Sequence, residues 1–265
     1  MTTIGFIGTG KMGGALATAV SKNTDFRILL ANRHPEKAAA LAEITGGTVA
    51  DVPTVADQAD FIFLGVKPQM LSGLLGDIKE ILASRKTPFT LVTMAAGTEI
   101  QVILDRLENE FPVIRIMPNI PAAIGQGLIL YSFNQLVRPQ TLNEFLHAMS
   151  YSGRLLNVDE QLIDAGSAVS GCGPAFAAMF LEALADGGVA CGLPRAQATE
   201  CAAQMLLGSA QYILDTGIHP GELKDAVCSP GGTTIQGVRA LEESAFRGSV
   251  TDAVIAAYEK TLSLK

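Results

Sequence analysis

Residues 5–15 read GFIGTGKMGGA. Three glycines stand at the spacing Gly8-x-Gly10-x-x-Gly13, after the apolar run TTIGFIG and at the mouth of the helical run KMGGALATAVSK. A strand that turns sharply into a helix needs small residues at these places. Gly8 permits the tight turn, Gly10 lets a ligand reach the backbone, and Gly13 lets helix and strand pack closely. The first amides of the helix are then free, at the positive end of its dipole, to hold an anion such as a pyrophosphate. The spacing alone is a weak signal. Its place at the first strand-to-helix turn of the chain is the context that gives it meaning.

Working outward, the same rhythm repeats. RILLANR, DFIFLGVKP, FTLVTMAAG and VIRIMPN read as strands, and PEKAAALAEI, QMLSGLLGDIKEIL and TEIQVILDRL as the helices between them. Strands this apolar on both faces, alternating with helices, make a parallel sheet covered on two sides. The fold class is therefore α/β, with an N-terminal Rossmann-type domain over residues 1–155; LILYSF and RLLNV are candidates for extra edge strands. Past this point β-branched runs almost vanish. GPAFAAMFLEALADGGVACG, PRAQATECAAQMLLGSAQYILDTG and TDAVIAAYEKTLSL are Ala-rich helices with few charges. Residues 156–265 are expected to form an all-α domain. About a hundred residues cannot bury that much apolar helix surface alone, so packing against a second copy of the chain is expected.

Which dinucleotide is read at the second strand. An NAD-binding chain usually places Asp or Glu about two dozen residues past the first glycine, for the ribose 2′-hydroxyl. Here Asn32-Arg33 stands instead. An acid would repel a 2′-phosphate, whereas a guanidinium pairs with one. NADP(H) is the expected cofactor; if Arg33 is merely a solvated surface residue, NAD(H) stays open as well. The cofactor contacts expected from the glycine loop are Gly8, Thr9, Gly10, Lys11, Met12 and Gly13. Further contacts are expected where later strands end: Val66, Lys67 and Pro68 in GVKPQ, the small residues Ala95, Ala96 and Gly97 as a smooth floor for a flat ring, and Asn119 after Pro118, where a cis peptide or a nicotinamide contact is the alternative to a plain strand end.

Composition removes other classes. The chain has 265 residues, 48% of them apolar, and a net charge of −7. No basic run is present for a nucleic acid, and the acidic balance argues against an anionic membrane surface. No basic segment precedes the first strand, so a secretory signal is not expected. The longest uncharged stretch, AGSAVSGCGPAFAAMFL, is broken by Ser, Gly and Pro and is too polar and short to span a bilayer. Cys172, Cys191, Cys201 and Cys228 form no C-x-x-C pair and have no His at ligand spacing. Four buried thiols in a reduced cytosol, a cytoplasmic location and no metal are the expectation.

Taken together, IGFIGTGKMGGA, FLGVKPQ, AAG, RIMPNIPAAIGQG, VSGCGPAFAAMFLEALADGGVACGLPR and HPGELKDAVCSPGGTTIQGVRALE resemble, in order and over nearly the whole chain, the pyrroline-5-carboxylate reductase family. The last segment is the most specific. Cys172 and Phe176 stand where the family more often has Ser and Tyr, so no hydroxyl role is carried over to them. The resemblance implies NAD(P)H-dependent reduction of the ring imine of 1-pyrroline-5-carboxylate to L-proline, the last step of proline biosynthesis. It also implies a homodimer with interleaved C-terminal helices, assembled in some members into a decamer. The family's active site lies where one subunit's nucleotide domain meets the helical domains of the dimer.

Residues 228–237, CSPGGTTIQG, then acquire a role. Gly231 and Gly232 would offer amides at a helix start, an anion site suited to the substrate carboxylate; Ser229 and Thr233 would add donors. Thr234 matches the family's threonine near the ring nitrogen and would orient that nitrogen or relay a proton to it. Simple capping of the helix is the competing reading of this turn. SGCGPAF reads chiefly as helix punctuation, with Pro174 in the first turn. His219 reads as a turn residue, and Glu222, Lys224 and Asp225 as a solvated helix start. Three rival functions remain, the nearest in chemistry being a reductase of another cyclic imine. A β-hydroxyacid dehydrogenase shares the style of glycine loop but wants a Lys or comparable base, which PAFAAMFLEALADGGVACG lacks. A non-catalytic NADP(H) sensor would have no use for the Ser-Pro-Gly-Gly-Thr-Thr turn.

Overall fold

The computed structural model describes residues 1–263. The chain alternates β1 (Thr2–Ile7), α1 (Lys11–Val20), β2 (Phe26–Ala31), α2 (Pro35–Thr45), β3 (Thr48–Val49), α3 (Val52–Gln58), β4 (Phe61–Leu64), α4 (Pro68–Ser84), β5 (Thr90–Thr93), α5 (Ile100–Leu107), β6 (Val113–Met117), β7 (Gly127–Phe133), α6 (Pro139–Ala148) and β8 (Gly153–Asn157). Six helices follow: α7 (Ile163–Ser170), α8 (Gly173–Ala190), α9 (Arg195–Thr216), α10 (Pro220–Ala226), α11 (Thr233–Glu243) and α12 (Phe246–Leu262). Leu264, the last residue of the C-terminal helical run expected from sequence, lies outside the described residues.

The eight strands form one sheet in the order β3-β2-β1-β4-β5-β6-β7-β8. Strands β1 to β6 are mutually parallel, with Ile7 opposite both Ala31 and Leu64, and Leu64 opposite Thr93. β7 and β8, the expected edge strands, complete the sheet, with β7 antiparallel to β6 and parallel to β8. The cause is the connection: β6 and β7 are joined by nine residues containing only a short 3-10 turn, Ile120–Ile124, too little chain for a parallel crossover.

Alternation within the strands sends residues to two cores. Ile4, Phe6, Phe61, Phe63, Ile114 and Ile116 pack with Leu16 and Val20 of α1 and Phe145 of α6. Ile7, Ile62, Leu64 and Leu91 pack on the other face with Val55 of α3, Leu75 and Ile78 of α4 and Ile103 of α5. α3 approaches so closely that a Cβ on Gly5 would sit 2.4 Å from Val55 Cγ1. α3 is itself capped by Asp51, which accepts from the Thr54 amide at 2.8 Å. Hydrogen bonding from Thr54 holds the Asp51 carboxyl below its usual value. This small stabilisation is present above the carboxyl's unfolded-state pKa and is lost as the pH falls through its lower folded value.

The chain forms two compact units, residues 1–171 with the residues from Ala257, and residues 172–256. The boundary expected at 155/156 falls inside β8. α7 belongs with the first unit because its apolar side packs on the sheet: Ile163 clusters with Met117 and Leu130, and Gly166 lies against Leu130, where a Cβ would meet Leu130 Cδ1 at 2.4 Å.

In the second unit α8 and α9 pack through small residues. Ala185, Ala198 and Ala202 are buried there, and a Cβ on Gly188 would lie 3.1 Å from Ala198 Cβ. Much else is exposed, including Met179 at 70%, Leu207, Tyr212, Leu214, Val250 and Ile255. The four cysteines are free but not buried as expected, for Cys191 and Cys201 are exposed and Cys172 and Cys228 half-buried in a single chain. They sit on and around helices whose apolar surface has no partner within one chain. One stretch among the described residues, Glu160–Ala190, is long and apolar enough to cross a membrane by length and composition. It is divided at Gly171–Cys172, and α7 spends its apolar face on the sheet.

Candidate dinucleotide and substrate sites

The carboxyl ends of β1, β2, β4 and β5 lie side by side, so the segments after them line one edge of the sheet. The strand order reverses direction between β1 and β4, which is where open α/β sheets bind ligands. There Gly8 and Gly65 touch through their backbones. Gly65 N–H donates to Ile7 O, and Gly8 N–H to Ala31 O, both at 2.8 Å. Gly8 has φ +101°, and a Cβ on it would meet Gly65 O at 2.5 Å; a Cβ on Gly13 would meet Gly8 O at 2.2 Å. Both glycines are therefore required by the protein itself.

Gly10 is different. Its φ −71° and ψ −169° suit any residue, and a Cβ there would meet nothing within 4 Å. No contact in the chain calls for glycine, so the space beside Gly10 is what fits a pyrophosphate. α1 begins directly after it with no side-chain cap and no acid in its first turn, which leaves the amides of Lys11, Met12 and Gly13 as donors. The residues present thus fit a dinucleotide phosphate.

Around this loop the expected residues divide. Thr9 is buried, and its hydroxyl accepts from Asn32 Nδ2 at 2.6 Å, while Asn32 Oδ1 accepts from the His34 amide at 3.0 Å. Asn32 is a brace for the loop. Arg33 is exposed and has no ion pair among the described residues, so its guanidinium is available to a ligand. Beside Asn32 a groove of about 520 Å³ runs past Pro35, Thr48, Ala50 and Asp51. Val66 packs partly on the core, Lys67 is exposed, and Pro68 opens α4. Ala95 is buried in the core, which withdraws its side chain from the expected floor; Ala96 is half-buried against Met117, Leu130 and Ile163, and Gly97, at φ +69°, is half-buried beside it. Asn119 is withdrawn too: its Nδ2 donates to Ser170 O and its Oδ1 accepts from Leu128 N–H, each at 3.0 Å. It ties β6 to β7 and α7. No cis peptide occurs among the described residues.

A larger opening of about 540 Å³ lies at the opposite edge, where β1, β4 and β5 begin. Of the carboxylates lining it, Asp60 accepts from Thr3 N–H at 2.7 Å, Glu144 bonds the Thr2 hydroxyl and Glu110 is exposed.

In the helical unit, Ser229–Gly232 is a tight turn. Gly232 N–H donates to Ser229 O at 3.0 Å, Pro230 occupies the second position and Gly231, at φ +68°, the third, a type II pattern. The Gly232 amide is therefore closed to a ligand, a correction to the sequence reading. The open donors are the first-turn amides of α11, which has no side-chain cap, and the hydroxyls of Ser229, Thr233 and Thr234. None of these hydroxyls has a partner among the described residues, and all three residues are exposed. Ser229 Oγ lies over the helix start, since a Cβ on Gly232 would come within 2.3 Å of it. Capping does not explain the turn. His219 is a cap: its Nδ1 accepts from Gly221 N–H at 3.1 Å. Lys224, in the last turn of α10, is pushed above the ordinary ammonium value chiefly by its hydrogen bond to Asp225.

Sequence reasoning missed Arg115, Glu160 and Asp164. Arg115 is 1% exposed and pairs with Asp164 at 2.5 Å and Glu160 at 3.5 Å. The signal was present, an arginine inside the fully apolar run VIRIM.

A glycine loop at the switch point of a parallel sheet, followed by a helical unit, defines a two-domain dinucleotide-dependent oxidoreductase. Residues 3–97 match the family described as NADP oxidoreductase coenzyme F420-dependent, and residues 160–264 the family described as pyrroline-5-carboxylate reductase dimerisation. The chain is 40% identical over 265 residues to the pyrroline-5-carboxylate reductase of Escherichia coli, covering 98% of this chain and 97% of that protein. Solved structures agree. The enzyme from Coxiella burnetii superimposes with a TM-score of 0.90 at 29% identity, over 100% of this chain and 98% of that one. The Plasmodium falciparum pyrroline carboxylate reductase with NADP bound gives 0.88 at 28%, over 99% and 97%. The chain belongs to the pyrroline-5-carboxylate reductase family.

Proposed function

We propose that the protein reduces the ring imine of 1-pyrroline-5-carboxylate to L-proline with NADPH, as a cytoplasmic homodimer. The observation that carries this reading is the start of α11, where a Ser-Pro-Gly turn leaves three hydroxyls and the first-turn amides unused. That is a donor cluster for a small carboxylate bearing a ring nitrogen.

When bound, the nicotinamide cofactor supplies the hydride. Gly10 and the first amides of α1 would hold its phosphates, Arg33 its 2′-phosphate, and Ala96 and Gly97 would flank its ring. The first-turn amides of α11, with Ser229 and Thr233, would hold the substrate carboxylate. Thr234 Oγ1 would face the ring nitrogen and hand it a proton. The imine is basic enough to be protonated by a hydroxyl linked to water, so no histidine or carboxylate is needed, and orientation is the protein's main contribution. Dimerisation is supported by the apolar side chains exposed on α8, α9 and α12 in a single chain.

The test follows NADPH absorbance with pyrroline-5-carboxylate, then NADP with 3-hydroxy acids. Oxidation by the imine and silence with the hydroxy acids is expected; the reverse would make the protein a β-hydroxyacid dehydrogenase, and silence in both a sensor. Thr234→Ala should lower turnover on the order of 10- to 1,000-fold, and an unchanged rate would remove Thr234 from the mechanism. Arg33→Asp should move the NADPH-to-NADH ratio of kcat/KM towards NADH by about tenfold or more, because a charge-assisted pair to phosphate becomes a repulsion. A ratio that stays put would mean Arg33 does not read the cofactor.

A further inference from the structure

Three charged side chains outside the sites described so far meet beneath the β5–α5 connection. Arg115 stands in a strand whose five residues are all buried. Its Nη2 donates to Asp164 Oδ1, while its Nε and Nη1 have no hydrogen-bond acceptor among the described residues. Nη1 instead faces Glu160 Oε1 at 3.5 Å. That same Glu160 oxygen accepts the backbone N–H of Ile100 at 2.6 Å.

Ile100 is the first residue of α5, and its N-cap residue Glu99 makes no side-chain cap. The helix start is capped from 60 residues away in sequence. Immediately before it runs Met94–Glu99, the connection that carries Ala96 and Gly97. Two of its backbone amides make long hydrogen bonds: Thr98 N–H to Ala95 O at 3.3 Å, and Ala95 N–H to Thr93 Oγ1 at 3.4 Å. The connection packs on the sheet through Met94, Ala95 and Ala96, and Glu160 pins its far end at the first amide of α5. A carboxylate accepts more strongly than a neutral group, and the guanidinium beside it sets its orientation.

We propose that Glu160, oriented by Arg115, is a positioning residue for hydride transfer: it anchors the first amide of α5 and through it fixes the connection that flanks the nicotinamide. The inference rests on assigning Ala96 and Gly97 to that ring. The phosphate cradle at Gly8–Gly13 lies on a different connection and does not depend on Glu160. Ring placement and dinucleotide affinity should thus separate.

The experiment compares the full-length protein with its Glu160→Ala and Glu160→Gln variants. Three quantities are read: kcat, NADPH Kd by fluorescence titration, and amide hydrogen exchange of the segment 94–101. Glu160→Ala is expected to lose about tenfold or more in kcat, since small misplacements of reacting atoms are costly, with Kd changed less than about twofold. Exchange in the segment should accelerate. Glu160→Gln keeps an oxygen that can accept the Ile100 N–H and should recover most of kcat. Should the Ala variant fail to fold, Glu160→Asp, one methylene short of the amide, is expected to show the same split. Wild-type kcat in a folded Ala or Asp variant, a Kd that rises in step with the loss of kcat, or a Gln variant as slow as Ala would overturn the proposal. The exchange measurement needs no substrate, so failure of the imine assay in the wild-type protein would be recognised separately, as failure of the proposed reaction.

Discussion

Gly10→Val is expected to weaken NADPH binding by about 100-fold while leaving the melting temperature of the unliganded protein nearly unchanged. The reasoning is geometric. Gly10 has backbone angles open to any residue, and a Cβ there touches no protein atom. The first carbon of the side chain therefore adds no strain to the folded chain, and valine's branched group would occupy the space over the α1 amides. Each hydrogen bond from such an amide to a charged phosphate is worth about 1.5–3 kcal/mol, and tenfold in affinity is about 1.4 kcal/mol. Losing one or two such bonds gives the stated factor. Gly10→Ala should fall between. Gly13→Ala is the contrasting control: its Cβ would press on Gly8 O, so there stability should fall together with affinity. Titration of NADPH fluorescence alongside thermal melts distinguishes the two. If Gly10→Val binds NADPH like the wild type, the phosphate does not lie against this amide group.

The second large effect concerns stability. Asp164→Ala should destabilise the first unit by about 3–5 kcal/mol, because it strips the near-contact partner from a guanidinium that is almost wholly buried. For a chain of this size, each kcal/mol moves the melting temperature by about 2–4 °C. Replacing both members, as in Arg115→Met with Asp164→Leu, should recover part of the loss, since no wholly buried charge is then left unpaired and half-buried Glu160 keeps the Ile100 N–H. Urea unfolding of the two single variants and the double variant measures the coupling. Simple additivity of the single-variant losses would show that the pair does not act as a unit.

Much of the molecule could be read directly from its residues. The doubly apolar strands, the glycine spacing after the first of them and the change of texture past residue 152 are local patterns, and local patterns report periodicity and turn geometry. They sufficed for the parallel sheet, the glycine turn before α1 and the helical second half. The charge-poor helices also told correctly that one chain leaves much apolar surface uncovered, as Met179, Leu207 and Leu214 do.

Pairings between distant residues were beyond that reach. Asn119 looked like a ligand contact because it ends a strand at the binding edge, yet both ends of its carboxamide are spent on Ser170 and Leu128. Ala95 looked like part of a floor, yet its methyl group points into the core. Gly232 looked like an amide donor, yet a turn closes that amide on Ser229.

Sequence alone determined the class of fold, where the glycine loop sits and which helix start carries the spare hydroxyls, because each depends on residues within a few positions of one another. Only tertiary structure decided which of those donors stay unengaged, that β7 reverses direction, and that Arg115, Glu160 and Asp164 meet. Those outcomes depend on which segments the sheet brings together across tens of residues, where burial forces every polar group to find a partner wherever the fold supplies one.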